Sequence, residues 1–286
     1  MTTDITILPG HFETGVAGRR RVRTAGRQVS RQAFFGVLAL LFFASATVTV
    51  LWCNSMSAMG EMPMPGGWTM SMAWMRMPRQ TWAGATASFV AMWVVMMAAM
   101  MLPSLTPTLW RYYRCIEETC RASRGGIVMV IGLGYFFVWT LFGVAVFPAG
   151  TAIATAEMEW PALARAVPLA AGVIVLLAGV SQFTAWKTRH LVGCRVAPGN
   201  DCVLPARSAA AWRQGVGLGL HCGLSCANLT AILLVVGVMD LRAMAAVTVA
   251  ITAERLAPAG QAVSRAVGWV AIGAGLLLIA GVVRLG

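Results

Sequence analysis

Long apolar runs alternate with short polar or basic segments along almost the whole chain, and the length of the runs sets the expected architecture. A helix that crosses the hydrocarbon core of a bilayer needs about 20 mostly apolar residues. Such runs fall at residues 34–53, 81–105, 127–149, 166–186, 215–239 and 266–283, with a shorter one at 241–253. The pattern predicts an all-α, polytopic transmembrane helical bundle of about seven spans, or six if the short run is re-entrant. Residues 1–33, polar and rich in Gly and Arg, are expected to be a disordered basic tail. Residues 34–286 then form a single transmembrane domain with a Met-rich loop at 54–80. Pro63, Pro65, Gly66 and Gly67 argue against a regular element in that loop. Ala44-Ser45-Ala46 offers a signal-peptidase-like site, but the apolar run continues through Val48, Val50 and Trp52. An uncleaved anchor is the expectation.

Charge adds an orientation. The chain carries 22 Lys and Arg against 10 Asp and Glu, a net +12. The tail and the segments after the second, fourth and sixth runs hold 17 of those 22; the other segments hold only Arg76, Arg79, Arg165, Arg242 and Arg284. That bias places the N-terminus of a multi-pass membrane protein in the cytoplasm. It also removes the reason to read the charge as a nucleic-acid footprint, which would be one clustered basic face.

Sulfur is the candidate chemistry. Met92, Met96, Met97, Met100 and Met101 recur at three- and four-residue spacings in the second run, so they fill about half of a helix circumference. The preceding loop holds Met56, Met59, Met62, Met64, Met70, Met72, Met75 and Met77, with no evident core to fill. Cys222 and Cys226 in the fifth run are four apart, on one helical face, and His221, Ser225 and Asn228 form an adjoining polar stripe. Gly215, Gly219 and Gly223 would let another helix approach. Polar groups within a span are costly unless paired or functional. Thiolate and thioether favour Cu(I), while imidazole suits Cu or Zn. Packing is the competing explanation, because Met fills irregular gaps and free Cys packs as a small hydrophobe.

Other classes find less support. Of the seven Cys, only Cys53 falls near the outer face, which argues against a disulfide framework. Cys115/Cys120 and Cys194/Cys202 lie in cytoplasmic loops at spacings that are weak metal motifs. No nucleophile–base pair and no phosphate-binding loop occurs, so neither an enzyme nor an ATP-driven pump is expected. Glu254 is expected to pair with Arg255 or a loop arginine.

At these residues the chain resembles a bacterial membrane family named domain of unknown function 2182, described as predicted metal-binding integral membrane proteins. The resemblance covers residues 80–285 and rests on 93–104 and 215–260. Within the second block Cys222, Cys226, Gly237-Val238-Met239-Asp240, Met244, Glu254-Arg255 and Pro258 look like the family pattern. Ser225 stands where members often carry the middle Cys of a Cys-x-x-Cys-Cys cluster. The resemblance implies metal binding and no reaction.

The expected function is binding of a soft metal ion, Cu(I) before Zn(II), for handling, delivery or transport. Met56, Met59, Met62, Met64, Met70 and Met72 would capture the ion at the outer face. Met96, Met97, Met100 and Met101 would pass it to Cys222, Cys226 and His221. The expected partners are the lipid bilayer, the metal ion and a metalloenzyme or metallochaperone. Two other readings stay open: a membrane scaffold that docks a partner, and a small-solute transporter.

Overall fold

The computed structural model describes residues 10–58, 60, 62–76, 79–119, 124–195 and 208–285. Among them are eight α-helices: α1 Gly10–Ala58, α2 Trp82–Thr119, α3 Arg124–Glu159, α4 Pro161–Ser181, α5 Ala185–Arg195, α6 Ser208–Val236, α7 Leu241–Leu256 and α8 Gly260–Leu285. Six segments are long and apolar enough to cross a membrane: Arg31–Ala58, Trp82–Cys115, Gly125–Glu159, Pro161–Ser181, Ser208–Val236 and Gly260–Arg284. The protein is an all-α polytopic bundle. Its exposed apolar side chains include Leu133, Leu141, Leu177, Val270 and Leu277, as expected where lipid replaces water around helices whose backbone groups are bonded internally.

The chain divides into two compact units, Met1–Leu41 and Phe42–Gly286. Helix α1 already runs from Gly10, through residues expected as a disordered tail. Residues 10–33 contain no Pro and many Arg, Ala and Gln, which are good helix formers. Residues 1–9 lie outside the described residues.

The short run at 241–253 is the 16-residue α7. At 1.5 Å per residue it is about 24 Å long, against about 30 Å of hydrocarbon, so six spans meet the length criterion rather than seven. Asp240 caps it, its carboxylate accepting from the backbone N–H groups of Arg242 and Ala243 at 2.7 and 3.0 Å. Helix α7 returns alongside α6 and brings Glu254 and Arg255 to the level of Cys222.

Glycines set the closest helix contacts. A Cβ at Gly134 of α3 would stand 2.7 Å from the Trp212 carbonyl oxygen of α6, and one at Gly219 of α6 would stand 2.9 Å from the Tyr135 carbonyl oxygen of α3. Only a residue without Cβ allows that approach. Gly179 of α4 meets the backbone of α8 in the same way, 2.8 Å from the Ile272 nitrogen. Pro103 and Pro107 lie inside α2, which continues past them to Thr119. Neighbouring helices make such interruptions tolerable within a membrane.

The loop at 54–80 is more ordered than its prolines and glycines suggest. Met62–Met64 and Trp68–Met70 pair as an antiparallel hairpin, β1 and β2, with Met62 opposite Met70 and Met64 opposite Trp68. Gly66 and Gly67 have φ of +109° and +76°, so the residues that argued against structure supply the turn. A 3-10 helix, Met72–Trp74, follows. The hairpin is tied down by Trp68, whose indole N–H donates to the Ala164 carbonyl of α4 at 2.8 Å.

Candidate metal centre

Two groups of sulfur atoms among the described residues differ in their surroundings. The first is the hairpin. Met64 and Met70 are buried in a cluster with Ala154 of α3 and Ala164 of α4, and Met62, Trp68 and Trp74 pack against it. These thioethers do have a core to fill, contrary to the expectation of a loop with none. Met56 and Met72 are partly buried, and Met59 and Met77 lie outside the described residues.

The second group lies where α2, α3, α6 and α7 meet. Cys222 and Cys226 are fully buried on α6, their sulfurs 3.8 Å apart. The Cys222 thiol also reaches the Met101 thioether of α2 at 3.9 Å. Tyr135 of α3 places its hydroxyl 3.0 Å from the Cys222 sulfur. Arg255 of α7, 7% exposed, donates from Nη1 to Ser104 Oγ at 2.9 Å and to Cys222 Sγ at 3.3 Å. Its Nη2 is buried with no hydrogen-bond partner among the described residues. Cys222 is thus approached by a thiol, a thioether, a phenol and a guanidinium.

Cys194 of α5 extends the cluster. It is buried, and its sulfur lies 3.4 Å from Ser225 Oγ. Ser225 Oγ in turn stands 3.6 Å from the Cys226 sulfur and donates to the Cys222 carbonyl at 2.9 Å. Among the described residues no three His, Cys, Asp or Glu side chains are grouped so as to hold a metal ion. The compact set is therefore two thiols and one thioether. Three sulfurs around one ion at metal–sulfur distances of about 2.3 Å stand about 4.0 Å apart if trigonal. The two observed edges, 3.8 and 3.9 Å, are of that size.

A buried ion pair braces the floor of this cluster. Lys187 of α5 donates to Glu254 Oε2 at 2.8 Å and to the Ser225 carbonyl at 2.6 Å. Gln182 donates to Glu254 Oε1 at 3.1 Å and accepts from Ser264 Oγ of α8 at 2.9 Å. Glu254 thus has Lys187 as an ion-pair partner, a lysine that the sequence did not single out for it. Such a pair is costly to bury and costlier to break, since removing one partner leaves the other charge uncompensated.

The structure sorts the expected ligands. Cys222, Cys226 and Met101 come together. Met96, Met97 and Met100 are buried along α2; Met96 and Met97 lie a turn or more before Met101, and Met100 points about 100° away from it. His221 is exposed and turned to α5, where its Nδ1 lies 3.4 Å from that of His190. Neighbouring residues on a helix point about 100° apart, so His221 and Cys222 cannot share a face. Sequence reasoning missed Cys194, Tyr135, Ser104 and Arg255 as companions of the thiols. Arg255 carried a usable signal, a guanidinium at the end of an apolar run. Cys120 and Cys202, each weighed with a neighbouring Cys, lie outside the described residues.

Against known proteins, a family model described as PpoB2, copper chaperone, matches residues 90–278. The match covers well over half of the chain and includes every residue of the thiol cluster: the chain belongs to this copper chaperone family. Neither a curated protein nor a solved structure matches it.

Proposed function

We propose that this member of a copper chaperone family is a multi-pass protein of the bacterial inner membrane, with a cytoplasmic N-terminus, that holds Cu(I) between Cys222, Cys226 and Met101. Its resemblance to domain of unknown function 2182 belongs to the same reading. The observation that carries it is the pair of sulfur–sulfur edges of 3.8 and 3.9 Å, buried beside a guanidinium. Soft sulfur donors select Cu(I) over harder ions. Binding of Cu(I) to both thiols releases two protons and leaves a group with one negative charge, for which Arg255 supplies the counter-charge. Tyr135 orients Cys222 by its hydroxyl. The cargo would pass unchanged to a metalloenzyme or a second metallochaperone.

The expected outer relay narrows accordingly. Met101 is the ligand offered by α2, Met96, Met97 and Met100 are packing beneath it, and the hairpin methionines hold α3 and α4 together. The test is anaerobic titration of the detergent-purified protein with Cu(I) against a chromophoric chelator. One equivalent should bind to the wild type and none to Cys222→Ser/Cys226→Ser. Equal copper in both would end the proposal.

A further inference from the structure

The two histidines that the thiol cluster leaves out stand together. His190 of α5 and His221 of α6 face each other with Nδ1 atoms 3.4 Å apart and ring centroids 5.6 Å apart. His221 is exposed and His190 partly so. Both rings are held in place. Trp186, one turn earlier on α5, packs edge-on against His190 with centroids 4.7 Å apart. Gly193 leaves room for His221: a Cβ there would stand 2.9 Å from His221 Nδ1, so a side chain at residue 193 would displace the imidazole.

From this geometry we infer a second metal site, in which His190 Nδ1 and His221 Nδ1 bind one borderline transition-metal ion at the protein surface. Two nitrogens on one tetrahedral ion at metal–nitrogen distances of 2.0–2.1 Å stand about 3.3–3.4 Å apart, and the observed separation is 3.4 Å. Neutral imidazole is a ligand for Cu and Zn, and each ring binds through Nδ1 in the tautomer that carries its proton on Nε2. Two imidazoles leave coordination positions open, and the exposed ring of His221 leaves them unobstructed by this chain. The pair also adjoins the buried thiols through the chain itself. His190 is one helical turn from Cys194, and His221 is next to Cys222. An ion at the surface pair and an ion at the thiols are therefore near neighbours along α5 and α6, as a docking and transfer point requires. The site does not depend on the thiol reading, because none of its ligands is shared.

Cu(II) tests it directly in a full-length protein that lacks the reducing thiol pair. The background is His11→Gln/Cys222→Ser/Cys226→Ser with the remaining accessible thiols alkylated, in detergent and without a histidine tag. Electron paramagnetic resonance should show one bound Cu(II) with hyperfine splitting from two nitrogens. Adding His190→Gln or His221→Gln should weaken that binding at least about tenfold and reduce the splitting to one nitrogen. Gly193→Ala removes no ligand but displaces one ring, and should also weaken binding. It provides an answer if a histidine variant fails to fold. A spectrum and affinity unchanged by all three substitutions would overturn the site. Loss of the His signal says nothing against Cu(I) at Cys222, and failure of the thiol titration says nothing against the His pair.

Discussion

The hairpin and the thiol cluster are both rich in soft sulfur, and only one of them looks like a place for an ion. In the hairpin Met64 and Met70 face alanines and tryptophans, and Trp68 holds a backbone carbonyl of α4. In the cluster each sulfur has a polar or sulfur companion, and a buried arginine has a nitrogen without a partner. Density of sulfur is therefore a poor guide to ligation. A core that is merely filling space has no use for a half-satisfied guanidinium.

That contrast can be broken from either side. The largest effect on affinity is expected at the thiols: Cys222→Ser alone should lower Cu(I) affinity by at least about 100-fold, roughly 2.8 kcal/mol, measured by chelator competition. A smaller loss would mean the cluster binds no better than the hairpin. Lys187→Met should act through stability and not through binding. Removing one charge of a buried ion pair costs about 3–5 kcal/mol, which a thermal melt in detergent would report as an early transition. Met101→Leu keeps volume and removes the thioether. It should weaken Cu(I) about tenfold, roughly 1.4 kcal/mol, with an unchanged melt, and an unchanged affinity would leave only the two thiols in the set. Met64→Leu/Met70→Leu should matter least, costing under about 1.5 kcal/mol per site as volume-conserving exchanges do and leaving copper stoichiometry as it was. Loss of an equivalent of copper in that variant would erase the distinction between the two regions.

Much of the fold could be read from apolar run length, because a bilayer imposes a length on every helix that crosses it. The 16-residue α7 was the run whose status stayed open, since its ends are set by Asp240 and by buried charges rather than by lipid. The hairpin was hidden for a different reason. Pro and Gly mark an interruption of helix without saying whether the chain then turns back on itself, and that depended on Trp68 finding Ala164. At the site, Cys222 and Cys226 were legible because one helix fixes their relation. Met101 was legible only as one of five equivalent methionines, and the choice among them is made by how α2 rotates against α6. Cys194, Tyr135 and Arg255 come from three other helices, and no spacing along the chain encodes their meeting.

The glycine contacts between α3 and α6 also divide the site mechanically. Helices that meet through side chains can exchange rotamers and slide, but carbonyls set against glycine leave no such play. Tyr135 and Cys222 therefore sit on a fixed jaw. The opposite jaw is α2, where Pro103 lacks the N–H that would tie it to the preceding turn, two residues beyond Met101. Any opening of the sulfur set would take place at that loosened turn, with Met101 as the ligand that moves.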